Sequence, residues 1–556
     1  MQHFDTHEVS NTVAPLENFN LFAADPALQE ALLREGGADA AASLHALGAE
    51  LGRSETLDWA RLANLYPPQL HSFDRQGKRI DEVEFHPAWH SLMALLVGNG
   101  AHASPWQGGA GAQVARTARY LLFGQVENGS QCPVTMTYAA VPALRQAPRI
   151  ARKWLPKILS HQYDPRSLPI EQKHGALIGM GMTEKQGGSD VRANTTHAEP
   201  VPSAEALALF GEDGEDVFRI VGHKWFFSAP QSDAHLILAQ TGAEGLSCFF
   251  LPRYLPNGKR NAIRVQRLKD KLGNRSNASS EVEFAGAYGW LIGKQGRGIP
   301  TILEMGSHTR LDCILGSAGA MRAALTHALH HARRRLAFGR PLAEQPLMQN
   351  VLADMALESE AATVFAMRLA RCFDEAADPA QAMLARLLTP AGKYWICKRG
   401  PGFGAEAMEV VGGNGYVEDG PLARLYRELP VNSIWEGSGN VMCLDLLRAL
   451  ARSPAALEVL AAELALAGNG DTCFVAYRST LLADLAQQQQ PDEFGARVRA
   501  ERVVLAVQAA LLLRHAPPYV SSAFVASRLK REPGGAYGRL PSGVDCAAIL
   551  GRALVE

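Results

Sequence analysis

Gly181-Met182-Thr183-Glu184-Lys185-Gln186-Gly187-Gly188-Ser189-Asp190 marks the point where the texture of this chain changes. Its paired glycines carry no side chain. With hydroxyl residues beside them, their backbone amides can come close to an anion or a flat ring. A glycine-rich turn is also an ordinary loop, so the flanks decide the reading. Downstream, Val217-Phe218-Arg219-Ile220-Val221, His235-Leu236-Ile237-Leu238-Ala239 and Ser247-Cys248-Phe249-Phe250-Leu251 are short β-type runs, and Glu281-Val282-Glu283-Phe284 alternates. Gly and Pro punctuate them. Upstream, Asp25-Pro26 reads as an N-cap and first-turn proline, opening a helix that should stop near Gly36-Gly37. Residues 38–51 repeat apolar positions at helical spacing. Beyond the strands, 315–335 and 349–374 are long amphipathic stretches. The tail is rich in Ala and Leu, with a loop signal at 487–491. The expectation is an α+β, mostly helical chain. It comprises an N-terminal helical domain (1–175), a barrel-like middle β domain (176–292), a helical bundle (293–450) and an extra helical C-terminal domain (451–556).

Composition narrows the function classes. Of the 556 residues, 47% are hydrophobic and 20% charged, which suits a soluble globular protein of several domains. With 55 Lys and Arg against 56 Asp and Glu, the net charge is −1. Any nucleic-acid or membrane site must therefore be a local patch. The eight cysteines are scattered and never at C-x-x-C spacing, so reduced thiols are expected, with no zinc site and no disulfide scaffold. The first eleven residues are polar, unlike a signal peptide. The longest apolar run, around 503–513, is interrupted by Gln508 and falls far short of the roughly 20 residues that span a bilayer. A cytoplasmic protein without a metal or a membrane partner is expected.

Further motifs follow in order: Gly222-His223-Lys224-Trp225-Phe226-Phe227-Ser228, Asp270-Lys271-Leu272-Gly273-Asn274-Arg275-Ser276, Arg335-Leu336-Ala337-Phe338-Gly339, and Glu409-Val410-Val411-Gly412-Gly413-Asn414-Gly415-Tyr416. The last is Ile434-Trp435-Glu436-Gly437-Ser438-Gly439-Asn440. Singly, each has a plain reading: a core strand, a basic helix end favoured by the dipole, a glutamate capping the next helix. Together, in this order, they resemble the acyl-CoA dehydrogenase family. That resemblance implies FAD, bound through Met182, Thr183, Gly187, Gly188 and Ser189 and through the aromatic strand at Phe226, Phe227 and Ser228. It also implies cofactor contacts from Ser438 and Asn440. A neighbouring subunit would add Arg335, Phe338 and the loop of Gly412, Gly413 and Gly415. Guanidinium suits a diphosphate because it offers forked donors. Glu436 stands where the family has the base that removes the α-proton of an acyl thioester while the β-hydride leaves to flavin. A carboxylate does this only when ionised and within reach of the carbon acid. Arg310 is the arginine shared by the family. Thr309 precedes it, where some members carry the base, so Glu436 is the one candidate base. The family's glutamine after the Arg-x-x-Phe-Gly motif is displaced: Pro346 stands there, with Gln345 one residue short.

Phe85-His86-Pro87-Ala88-Trp89-His90, residues 184–190, residues 432–440 and the C-terminal tail resemble one subgroup, the bacterial flavoproteins of the adaptive response to DNA alkylation. This implies a homotetramer that binds double-stranded DNA and has at most weak acyl-CoA dehydrogenase activity. Arg448 and Arg531 match DNA-contact positions of that subgroup, and Arg514, Arg528, Lys530 and Arg531 form a cluster. The tail has eleven Lys and Arg against ten Asp and Glu, so binding should be phosphate-directed and independent of sequence. The plain alternative for the cluster is a solvated helix face. The alternative function is a metabolic short- or branched-chain acyl-CoA dehydrogenase, with acyl-CoA as the partner.

Overall fold

The computed structural model describes residues 6–487, 493–530 and 536–554. They gather into two compact units, one of residues 55–313 and 434–441, the other of 1–54, 314–433 and 442–556.

The first unit holds the β domain, and its strands close on themselves. Ala234–Gln240 pairs antiparallel with Leu246–Pro252, and that strand pairs with Ser279–Ile292. Ser279–Ile292 pairs with Val217–Ser228, Val217–Ser228 with His197–Pro200, and the last returns to the first at His197↔Gln240. Ile178–Gly181 and Ile263–Leu268 add to this ring from outside. Closure leaves few open edges, and alternate residues turn inward. The interior is Phe218, Ile220, Phe227, Ile237, Phe249 and Phe284. The barrel expected from the sequence is present.

Helices Pro87–Gly98, Ala112–Gly124, Gln131–Arg145 and Pro148–Ile158 belong to the same unit, with the first part of the long helix Gly298–Arg334. A buried ion pair fixes the rotation of that helix. Arg116 donates two bonds to the Asp312 carboxylate at 2.6 and 2.7 Å, and Thr135 Oγ1 donates a third at 2.8 Å. The region expected to be wholly helical also contains a hairpin, Gln69–Phe73 against Arg79–Glu84. Its turn is legible afterwards: Asp74 accepts from the amides of Gln76 and Lys78, and Gly77 takes φ +80°. Glu82 binds the hairpin to Arg253 and Arg260, each at 2.9 Å.

The second unit is helical. Asp25 caps Pro26–Arg34 by accepting from Leu28 N, as its sequence suggests. Pro346–Asp374 and Pro379–Val411 are its long central helices. The tail helices Pro454–Ala465, Thr472–Ala486 and Ala496–His515 pack in the same unit. Arg368 grips Glu463 bidentately at 3.0 and 2.8 Å, joining Pro346–Asp374 to the tail. The expected loop after Gln487 lies outside the described residues. Among the described residues, no helix is long and apolar enough to cross a membrane.

Candidate active site

Glu436 lies in the first unit together with the start of the long helix. Its φ of +58° is unusual for a residue with a Cβ. Two consecutive helix residues hold it there. Arg310 Nε donates to the Glu436 carbonyl at 3.1 Å, and Thr309 Oγ1 donates to Oε2 at 2.6 Å. The two residues named as catalytic, Glu436 and Arg310, are thus brought into contact. Backbone strain of this kind persists only where neighbours over-determine it, and it concentrates at functional sites.

Cys132 comes close as well. It sits near the start of Gln131–Arg145, and burial pushes its thiol up to about 12, with Lys271, Ser228, Glu436 and Asn277 as charge or hydrogen-bond neighbours. Glu127 organises the approach to this helix. Its carboxylate accepts from Gly129 N, Asn64 Nδ2, Ser276 Oγ, Ser130 N and Ser130 Oγ at 2.6–3.0 Å. Glycine is required at 129, since a Cβ there would lie 1.9 Å from Ser276 Oγ. Neither Cys132 nor Glu127 was singled out from sequence.

The first two glycine and aromatic motifs are stitched together by a buried ion pair. Lys224 Nζ meets Glu184 Oε1 at 2.7 Å, with both side chains fully buried. Gln186 Nε2 and the amides of Thr195 and Thr196 also donate to Glu184. Burial pulls Lys224 down to about 8 against the attraction of Glu184. For Glu184 the burial penalty is outweighed by Lys224 and by these donors, and it sits at about 2. Trp225 N donates to Thr183 O at 2.8 Å, and Asn194 Nδ2 to Met182 O at 2.8 Å, which fixes the loop before Gly187, Gly188 and Ser189.

The strand Val217–Ser228 carries a bulge. Lys224 pairs with Val282, yet Phe227 pairs with Ser280, so one extra residue sits between them. Trp225 and Phe226 consequently both meet Lys269, whose Nζ is 3.3 and 4.6 Å from their ring centroids. Phe226 is 52% exposed and available to a flat ligand. Phe227 corrects the expectation from sequence. It is fully buried in the barrel, stacked on His235 at 4.2 Å, and its side chain is core.

Arg335, Phe338 and the loop of Gly412, Gly413 and Gly415, also expected at the cofactor, lie in the second unit. Arg335 Nη1 donates to the Asn11 carbonyl, and Asn11 also bonds both backbone groups of Leu336. Leu336–Ala337 and Arg340–Pro341 form a minimal hairpin whose tip, Phe338-Gly339, has both φ positive. Phe338 stands fully outward at 98% exposure. Gln345 Nε2 donates to Ala337 O at 2.8 Å, so it braces this hairpin. Gly412 (φ +74°) and Gly413 follow the helix Pro379–Val411, and a Cβ on either would meet nothing within 4 Å. The space beside them is open, while the Gly412 amide itself closes the helix end by donating to Met408 O and Glu409 O, each at 3.0 Å. Gly415 is packed instead, 2.4 Å from Met408 O by the same measure. Back in the first unit, Ser438 immediately precedes the helix Gly439–Arg452, and Asn440 stands exposed in its first turn. An exposed aromatic, hydroxyl groups, an arginine and unobstructed space beside Gly412 and Gly413 suit a flavin dinucleotide. The residues present fit FAD.

The tail arginines divide. Arg528 corrects a second expectation: it turns inward, 2.6 Å from Asp354 Oδ1 and 3.2 Å from Glu358 Oε2, with its side chain 10% exposed. Arg399 binds the same Glu358 at 3.2 Å. Two buried carboxylates demand cations, so Arg528 fastens the tail and does not face a phosphate backbone. Arg514 lies 3.6 Å from Glu463. Arg448 and Lys530 are exposed. Arg531 lies outside the described residues.

Comparison with known proteins agrees with this geometry. The family model for the adaptive response protein AidB N-terminal domain matches residues 11–165. Those for the acyl-CoA dehydrogenase middle and C-terminal domains match 179–287 and 296–451. AidB of Escherichia coli (strain K12) is 52% identical over 521 residues, 93% of each chain. Caenorhabditis elegans ACDH-11, solved in complex with C11-CoA, superposes with a TM-score of 0.84 at 26% identity, covering 97% of this chain and 96% of that one. The apo form of Bd2924 gives a TM-score of 0.82 at 30% identity, covering 91% of this chain and 100% of that one. With these matches along nearly its whole length, the chain belongs to the FAD-dependent acyl-CoA dehydrogenase family, in the branch that contains AidB.

Proposed function

We propose that this protein is an FAD-binding, acyl-CoA dehydrogenase-type flavoprotein of the response to DNA alkylation, which also binds double-stranded DNA. Glu436, held by Thr309 and Arg310, is the observation that carries the chemical half. Met182, Thr183, Gly187, Gly188, Ser189, Phe226, Ser228, Ser438 and Asn440 would hold the flavin end of FAD. Arg335, Phe338 and the Gly412–Gly413 backbone of a neighbouring subunit would hold its diphosphate, in a homotetramer. When bound, FAD supplies the hydride acceptor. The protein's own part is to orient an acyl thioester and take its α-proton on the Glu436 carboxylate. The four-part domain division at 175, 292 and 450 and a cytoplasmic location belong to the same proposal.

The DNA half rests on the AidB match along nearly the whole chain and on the exposed cations Arg448 and Lys530, with Arg531 as a third contact. Arg528 is withdrawn from that set. Activity on acyl-CoA is expected to be weak. Anaerobic mixing of the holoprotein with short and branched acyl-CoA should bleach the flavin slowly. Glu436→Gln should slow bleaching by about 10²- to 10⁴-fold, the usual worth of a positioned base. Equal rates in the two proteins would remove Glu436 from the chemistry. Fast steady turnover with a flavoprotein electron acceptor would favour the metabolic dehydrogenase reading instead.

A further inference from the structure

The contact between Thr309 and Glu436 has a feature that goes beyond holding the base. Thr309 Oγ1 has one proton and two acceptors in reach, Glu436 Oε2 at 2.6 Å and Gly306 O at 3.2 Å. A bond donated to an ionised carboxylate is shorter and stronger than one to a neutral carbonyl. While Glu436 is ionised, the hydroxyl proton therefore belongs to Oε2. Once Glu436 has gained a proton, its carboxylic O–H needs an acceptor. The same hydroxyl can turn its own proton to Gly306 O and accept from Oε2, because a hydroxyl both donates and accepts.

The helix turn that carries Thr309 is anchored on its flanks. His308 Nδ1 is 2.9 Å from Tyr138 Oη, and Tyr138 donates to Gln113 at 2.6 Å. Asp312 is gripped by Arg116 and Thr135. Burial, and then Arg116, draw His308 down to about 3, so this side of the turn carries a neutral imidazole. Thr309, Arg310 and Cys132 are among the groups that face Glu436 from elements packed about it, and Lys271 is a further charge neighbour of Cys132. A rigid turn makes the hydroxyl a fixed partner and not one of several passing contacts.

We propose that Thr309 is a positioning residue for the base: it donates to the ionised Glu436 carboxylate and accepts from the protonated one, with Gly306 O as the alternate acceptor. The inference rests on the reading of Glu436 as the base. Thr309→Val removes the hydroxyl at nearly constant shape, and Thr309→Ser restores it. The ionised form gains more from the bond than the neutral form does, so losing the bond should raise the Glu436 pKa, by about one unit.

Two readouts on the FAD-loaded protein test this. The first is infrared difference titration of the carboxylic C=O band, assigned by its loss in Glu436→Gln. The second is the pH profile of single-turnover flavin bleaching by acyl-CoA. Thr309→Val should shift both midpoints upward, and Thr309→Ser should return them to the native position. Unchanged midpoints in Thr309→Val would overturn the proposal. So would a shift that serine does not rescue. If Thr309→Val fails to fold, Thr309→Ala carries the same two expectations. Native bleaching in Glu436→Gln would instead sink the base reading itself, so the two failures are distinct.

Discussion

Lys224 and Glu184 show how much a single residue can carry. Each is a fully buried ion whose only affordable state is paired, and together they join two motifs that both face the proposed flavin. Removing one partner of such a pair typically costs about 3–5 kcal/mol, because the other charge is left buried alone. Lys224→Met should therefore lower stability by that amount in chemical denaturation. Restoring near-native stability in the Lys224→Met, Glu184→Leu double variant would confirm the cause. A loss below about 1 kcal/mol in the single variant would contradict the pairing.

Buried histidines make a second prediction at this scale. Burial holds His235 and His308 down to about 3, far below the ordinary value of 6.5. A folded-state pKa below the unfolded one means that the unfolded chain binds the extra proton. The stability each contributes is present above about pH 6.5 and is lost as pH falls toward 3. Between about pH 7 and about pH 5 each should cost on the order of 1–2 kcal/mol. The melting temperature should fall across that interval, and the fall should shrink in His308→Gln. An unchanged fall would count against a neutral buried His308.

Elements were legible where their signal is local. The strands of the barrel announce themselves by period, the first helix by Asp25-Pro26, and the glycine loops by composition. What escaped depends on distance or register. The hairpin in the first region rests on one Asp-turn, and the bulge that separates Phe226 from Phe227 exists only against the facing strand. Arg528 looked like part of a basic cluster because its carboxylate partners lie 174 and 170 positions upstream. Arg528→Ala should consequently lower the melting temperature and loosen the tail to proteolysis, at a cost of about 3–5 kcal/mol. Below its melting point it should bind DNA as the native protein does. Selective loss of DNA affinity in a fully stable Arg528→Ala protein would reverse this assignment.

For the whole molecule, near-zero net charge means that the proposed DNA binding has to come from a local patch. Affinity for duplex DNA should fall linearly on logarithmic axes with salt, at a slope of about −0.9 per phosphate contacted. Arg448→Glu should weaken binding to all sequences alike and flatten that slope, since phosphate contacts carry no sequence information. A slope indifferent to both salt and Arg448 would remove the DNA function and leave the flavin site standing.

That flavin site is the centre of the account, since hydroxyls, open glycines, an exposed aromatic and an arginine are all read as holding one dinucleotide. The most direct measurement is an absorbance titration of the folded, cofactor-stripped protein with FAD, followed by its melting temperature. The expected result is stoichiometric uptake with a perturbed flavin spectrum, and a rise in melting temperature that grows with FAD concentration. A folded protein that stays colourless and melts at the same temperature in excess FAD would contradict it.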